Sequence, residues 1–352
     1  MLRTYRPALI GCALLVVGAL YGLSSETAAH TMALTAVWAL MATGWNIISG
    51  YAGPISLGQG AFFGLTAFTT TVLFANYDLT PYLGIAVGVV ASLVLAAIIG
   101  LVTLRLSGLY FALATLTIPL IMGTLTRYFG FYEVPRPYVG ESIAYFQFNE
   151  SLPYYLAAAV LVAGSLFFTA RLEGTRTGRY FVAIRENERA AEASGVPTLR
   201  YKFYAFAIGA VFSALAGGLY SQLSFVFNPE GVYSPIISVQ ALLIVLIGGS
   251  GTVLGPLIGA AIVIPLSEFT ATYFSHVPGL NELTYAVVLL IVAFWSRRGL
   301  YPFIADGLAA LRARLRNRGG PPGAAPPPSG GRPRHARSVS VLSRTEKSGS
   351  AS

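Results

Sequence analysis

Apolar runs long enough to cross a lipid bilayer recur along almost all of this 352-residue chain, and they decide what it can fold into. A helix needs about 20 mainly apolar residues to span the hydrocarbon core. Such runs lie near 7–24, 28–48, 54–75, 82–104, 108–127, 152–171, 203–223, 235–247, 252–272 and 283–296. The eighth and tenth are short. The pattern therefore predicts an all-α, polytopic integral membrane protein with about 10 transmembrane helices, in a range of 8–10. Composition agrees, because only 11% of the residues are charged, whereas a soluble domain carries about a quarter. The surplus apolar surface needs lipid as its solvent. Arg3 and Arg6 before the first run also fit a signal peptide. No small-residue cleavage site closes that run, so a retained span is expected.

Charge gives the spans a direction. With ten spans and the N-terminus inside, 21 of the 23 Lys and Arg residues fall inside and only Arg127 and Arg136 fall outside. The positive-inside rule expects this asymmetry. Both termini are thus expected in the cytoplasm. The net charge of +9 reads as topology, since no folded segment interleaves basic and aromatic residues as a nucleic-acid surface would. The domain reading is a membrane domain over 1–300, interrupted by an inner loop at 172–202. A basic Pro/Gly/Ser-rich tail over 301–352 follows, with too little to bury to fold. Its arginines suit either plain solvation or anionic headgroups.

The inner loop is rich in helix formers from Arg179 to Ala193, with Gly195 where a C-cap belongs and Pro197 beyond it. Phe181, Ile184 and the alanines supply an apolar side; Arg185, Glu186, Glu188 and Arg189 supply a charged one. Two readings stay open here. The helix lies on the membrane surface, or it docks to a separate motor and transmits force.

Two glycine-rich segments form the second signal. Gly50, Gly53 and Gly58 punctuate one, and Gly248, Gly249, Gly251 and Gly255 the other; both repeat Gly-x-x-Gly, then Leu-Gly, before an apolar run. Paired interruptions predict two related halves with broken helices around a pathway. An interrupted helix exposes N–H groups suited to a carboxylate. Close packing through small residues would use glycine equally well.

What is missing narrows the class. No Gly-x-x-x-x-Gly-Lys-[Ser/Thr] loop occurs, so ATP is not expected to bind this chain. Acidic residues avoid the spans, with Glu268 alone near a span end. Ion-coupled carriers usually keep buried ionisable groups on their path. Cys12 is the single cysteine and His30, His276 and His335 are scattered, so neither a metal centre nor a catalytic set is expected.

Four blocks then resemble one family. Gly44-Trp-Asn46-Ile-Ile-Ser-Gly50-Tyr-Ala-Gly53-Pro-Ile-Ser56-Leu-Gly58-Gln59-Gly is similar to the signature of LivM-type permeases, from ABC importers of branched-chain amino acids. Leu106-Ser-Gly108-Leu-Tyr110-Phe-Ala-Leu-Ala-Thr115-Leu, the 184–195 segment with Lys202 and Phe206, and Gly248-Gly-Ser-Gly251-Thr-Val-Leu-Gly255-Pro resemble further blocks in the same order. The outer segment 128–138 departs from the family's pattern.

The resemblance implies a non-enzymatic transport subunit of a bacterial plasma membrane. Its partners would be a second LivH-like permease, two cytoplasmic ATPases and an extracytoplasmic binding protein. It makes Arg179, Arg185, Glu186, Asn187, Glu188, Ala191, Glu192 and Gly195 the candidate ATPase-coupling residues. Small or polar groups on apolar spans, namely Asn46, Ser56, Gln59, Tyr110 and Thr115, are the pathway candidates, although ordinary interhelical hydrogen bonding would use them equally. Urea, short amides or other amino acids are the alternative cargo within the class. A stand-alone channel or ion-coupled carrier, or a non-transporting scaffold, is the alternative outside it.

Overall fold

A computed structural model describes residues 2–273, together with Leu283 and Val287. The chain divides into a unit over Met1–Gly307 and another over Leu308–Ser352. The second, and the expected span at 283–296 apart from those two residues, lie outside the described residues.

The described part is a helical bundle. In chain order its helices are α1 (Leu2–Gly22), α2 (Glu26–Trp45), α3 (Gln59–Tyr77), α4 (Pro81–Thr103), α5 (Leu109–Tyr128), α6 (Leu152–Gly174), α7 (Arg176–Glu186), α8 (Glu188–Ala193), α9 (Thr198–Leu223), α10 (Pro229–Val232), α11 (Pro235–Gly248) and α12 (Gly255–Tyr273). Among the described residues eight helices are long and apolar enough to cross a membrane. The expected ten would add the span at 283–296 and α3, whose 19 residues include four threonines. Three of these are buried, and Thr70 and Thr71 return their hydroxyls to the carbonyls of Thr66 and Ala67. Burial and self-satisfaction let so polar a helix sit inside the bundle. It also begins later than its apolar run, at Gln59 and not near 54.

Helix α2 is the axis of the fold, packed by α1, α6, α9, α11 and α12. Its alanines let neighbours come close, as lipid-embedded helices require when hydrophobicity alone does not hold them together. The same logic sorts α4. Gly84, Gly88, Ser92 and Ala96 recur every fourth residue and face the interior, whereas Val87, Val90, Val94, Ile98 and Leu101 point outward. Small residues inside and large apolar ones outside reverse the soluble pattern. The Ser92 hydroxyl lies 3.1 Å from that of Thr66 and 3.2 Å from the Phe62 carbonyl, fastening α4 to α3.

Two ends of the bundle are distinct. Helices α7 and α8 sit at one. At the other end of α9, which is 26 residues long, β1 (Val134–Pro135) pairs antiparallel with β2 (Val226–Phe227). Arg127 bridges to Glu230 at 2.6 Å there, and Arg136 donates to the Gln222 carbonyl at 2.5 Å with its guanidinium 5.2 Å from the Phe225 ring. The two arginines expected outside thus belong to the end opposite α7.

Candidate functional site

The continuation of α2 does not stay α-helical. Asn46–Tyr51 winds as a π-helix, seen in the Ala52 N–H reaching the Ile47 carbonyl at 3.3 Å and that of Gly53 reaching Ile48 at 3.1 Å. Such wide turns are rare and gather at functional positions. Residues 52–58 then run back without helical structure along the end of α2. Trp45 Nε1 donates to the Ser56 carbonyl at 2.7 Å, and the Leu57 N–H donates to Thr115 Oγ1 at 3.0 Å. Helix α3 starts at Gln59, and the Gly60 N–H is received by Ser238 Oγ at 2.8 Å, in the first turns of α11.

The second glycine segment, 249–254, is the turn between α11 and α12. Both interruptions therefore lie between helices, and they meet in space. Asn46 joins them: its Nδ2 donates to the Thr252 carbonyl at 2.9 Å, and its Oδ1 accepts from the Gly251 N–H at 2.8 Å. Gly50 is required by this approach, since a Cβ there would stand 2.0 Å from Asn46 Oδ1 and 2.8 Å from the Gly251 nitrogen. Gly251 has φ +69°, a left-handed backbone that favours glycine.

The inner loop is locked under this pair of turns. It folds as two helices, beginning at Arg176 and breaking at Asn187, not as one helix from Arg179 to Ala193. The physical reason is capping. Thr175 accepts from the Gly178 N–H at 3.2 Å to start α7, and Asn187 Oδ1 accepts from the Ala190 N–H at 3.1 Å to start α8. Gly195 closes α8 at φ +82°, where the sequence places its cap. The apolar side of α7 faces protein: Phe181 is fully buried among Ile47, Tyr51, Ala52, Leu172 and Ala205. Burying Phe181 and Ile184 contributes about 3–6 kcal/mol together. That placement removes the surface-lying reading, which needs the same face in lipid.

Arg185 makes the decisive contact. Its Nη1 donates to the Gly50 carbonyl at 2.7 Å, and the same nitrogen lies 2.4 Å from where a Cβ on Gly251 would be. One guanidinium therefore touches both glycine turns from α7. Its Nη2 pairs with Glu186 at 3.0 Å on the exposed side.

The remaining candidates sort clearly. Glu188 pairs with Lys202, which is only 6% exposed, and Glu192 accepts from Thr198 Oγ1 at 2.5 Å. Ala191 is buried, and Arg179 reaches back to the Gly174 carbonyl at 3.3 Å. These side chains hold the loop to the body, which leaves Val182, Ala183, Glu186, Arg189 and Ala190 facing outward. Asn46, Ser56 and Gln59 are fully buried along the 46–59 segment, as is Thr115 on α5 beside it. Gln59 Oε1 accepts from Ser213 Oγ at 2.6 Å, while its Nε2 has no partner among the described residues. Tyr110 stands apart, 74% exposed on α5. Of the glycines, a Cβ on Gly58 would lie 3.0 Å from the Thr115 carbonyl, and one on Gly248 1.8 Å from that of Gly255. Gly249 donates to Val245 at 2.8 Å to close α11. Sequence reasoning missed Ser213, Ser238 and the Tyr51–Glu173 hydrogen bond of 2.6 Å. Each serine is a polar residue within an apolar run, which was the available signal.

Comparison with known proteins decides the class. Residues 27–294 match the model of the family described as branched-chain amino acid transport system / permease component. The chain belongs to this family. As a member it is a multi-pass membrane permease of the ABC transporter class, whose transporters work with ATPase and substrate-binding partners. The permease is 25% identical over 300 residues to the high-affinity branched-chain amino acid transport system permease protein LivM of Salmonella typhimurium, covering 76% of this chain and 68% of that one. It is 26% identical over 235 residues to the ribose import permease protein RbsC of Haemophilus influenzae, covering 65% and 72%. Over 167 residues it is 30% identical to the autoinducer 2 import system permease protein LsrC of Salmonella typhi, covering 46% and 42%.

Proposed function

We propose that this permease forms half of the transmembrane path of an ATP-driven importer of branched-chain, hydrophobic amino acids. A second LivH-like permease supplies the other half, two ATPases dock below, and a binding protein delivers substrate from outside. The chain lies in a bacterial plasma membrane with both termini and α7 on the cytoplasmic side, as 21 of its 23 basic residues favour.

The observation that carries the reading is the Arg185 contact. ATP binding closes the motor, the motor displaces α7, and Arg185 delivers that displacement to the Gly50 carbonyl. Because Asn46 ties Gly50's π-turn to the 251–252 turn, α2 and the α11–α12 pair move together. The segment 52–58 and the start of α3 then shift against Thr115 of α5 and Ser238 of α11. Asn46, Ser56, Gln59 and Thr115 act as the polar lining that such a shift uncovers. Tyr110 serves at the outward α5 face toward the second permease.

Cargo is tested by competition. In proteoliposomes holding the full assembly, excess leucine, isoleucine or valine should suppress uptake of radiolabelled leucine, while urea, acetamide and ribose should not. Absence of leucine uptake, beside ATP-driven uptake of radiolabelled urea, acetamide or ribose by the same assembly, would assign the alternative cargo.

A further inference from the structure

A groove of about 760 Å³ lies beside the α8–α9 junction, between the end of α4 and the turn into α9. Leu101, Leu199 and Phe203 give it an apolar wall, and Arg105, Arg200 and Glu192 give it charge. Leu101 and Leu199 are exposed, and the wall runs on into the outward stripe of α4 through Ile98 and Val94. Acyl chains already border that stripe in a membrane protein.

Its cations are not used up. Arg105 makes neither a hydrogen bond nor an ion pair among the described residues. Arg200 Nε donates to Tyr204 Oη at 2.8 Å and its guanidinium lies 5.6 Å from that ring. Its two terminal nitrogens have no partner among the described residues. Glu192 is the opposing charge, and its carboxylate is already engaged by Thr198. The first turn of α9 opens on the same groove with no side-chain cap, adding the positive end of a helix of 26 residues.

We infer that this groove holds an anionic phospholipid, its phosphate between Arg105 and Arg200 and an acyl chain along Leu101 and Phe203. Basic grooves between helices at the cytoplasmic surface suit such headgroups. The assignment to the inner leaflet rests on the proposed orientation. The bound lipid lies against Val196 and Pro197, which join α8 to α9, so it braces the loop that carries α7.

The test is native mass spectrometry of the full-length chain with its co-purifying subunits, titrated with phosphatidylglycerol or phosphatidylcholine of identical acyl chains. One arginine near a charged headgroup gives roughly fivefold, so the pair, opposed by Glu192, gives a preference on the order of tenfold for phosphatidylglycerol. Arg105→Gln with Arg200→Gln should bring the preference close to unity, and each single variant should lose part of it. Arg171→Gln, at the end of α6, should keep it. Equal retention of both lipids by the wild-type chain would overturn the inference. So would a preference that survives the double change, or a double variant that loses only its ATPase, which would assign the groove to protein. Labelling of Arg189→Cys from outside the cell would refute the orientation alone and leave the lipid preference standing.

Discussion

Replacing Arg185 by alanine should uncouple the machine without taking it apart. The lost contact is a charge-assisted hydrogen bond of 2.7 Å to the Gly50 carbonyl, and bonds of that kind contribute about 1.5–3 kcal/mol. The Arg185 side chain is 34% exposed. Water therefore partly replaces the guanidinium, and the lower end, about 1.5 kcal/mol, applies. Its pair with Glu186, whose side chain is 70% exposed, adds under about 1 kcal/mol. A loss of about 1.5 kcal/mol is roughly a tenfold shift between coupled and uncoupled arrangements. The assay is substrate taken up per ATP hydrolysed in proteoliposomes, measured beside co-purification of the ATPases. Arg185→Ala should lower that ratio about tenfold with association unchanged, since Phe181 and Ile184 still anchor α7. Arg185→Lys should recover part of the loss, because it keeps the charge with a shorter reach. An unchanged ratio, or a fall in uptake that follows lost ATPase association, would refute the role of Arg185 as an internal link.

Other positions give independent checks. Gly50→Ala places a methyl 2.0 Å from Asn46 Oδ1, and overpacking of that severity should cost about 1–3 kcal/mol. Thermal unfolding of the purified protein reads it, against Gly164→Ala, which meets nothing within 4 Å and should gain about 0.5–1 kcal/mol. Asn46→Asp keeps the acceptor for Gly251 but, as a carboxylate, turns a second acceptor and not a donor to the Thr252 carbonyl. It should be destabilised by about 1–3 kcal/mol in the same assay; a change under about 0.5 kcal/mol would sever the proposed tie between the turns. Tyr110→Ala should leave unfolding of the isolated chain within about 0.5 kcal/mol, whereas a cysteine there should crosslink to the second permease. Crosslinking only to lipid-borne reagents would place α5 against the bilayer instead.

Much of the membrane architecture was legible from apolar runs, because each span must satisfy its own backbone and so announces itself by length. Boundaries failed where other forces set them. The run at 54–75 hides five non-helical residues before Gln59, since Pro54, Ile55 and Leu57 look as apolar as any helix. Asn187 reads as one polar residue among helix formers, yet its side chain caps α8 and splits the loop. For the site, glycine spacing pointed to two interrupted helices but not to the contact between the interruptions, because Asn46 and Thr252 are 206 residues apart. Arg185 looked like part of a charged outer face. Only the fold reveals that one of its guanidinium nitrogens reaches the Gly50 carbonyl, since periodicity places a side chain on a face without saying what that face meets.

The most direct measurement is leucine uptake by proteoliposomes assembled from this permease, the second permease, both ATPases and the binding protein. The proposed function predicts accumulation that requires ATP and stops when any one component is left out. Uptake by this chain alone, indifferent to ATP and to the other subunits, would contradict it.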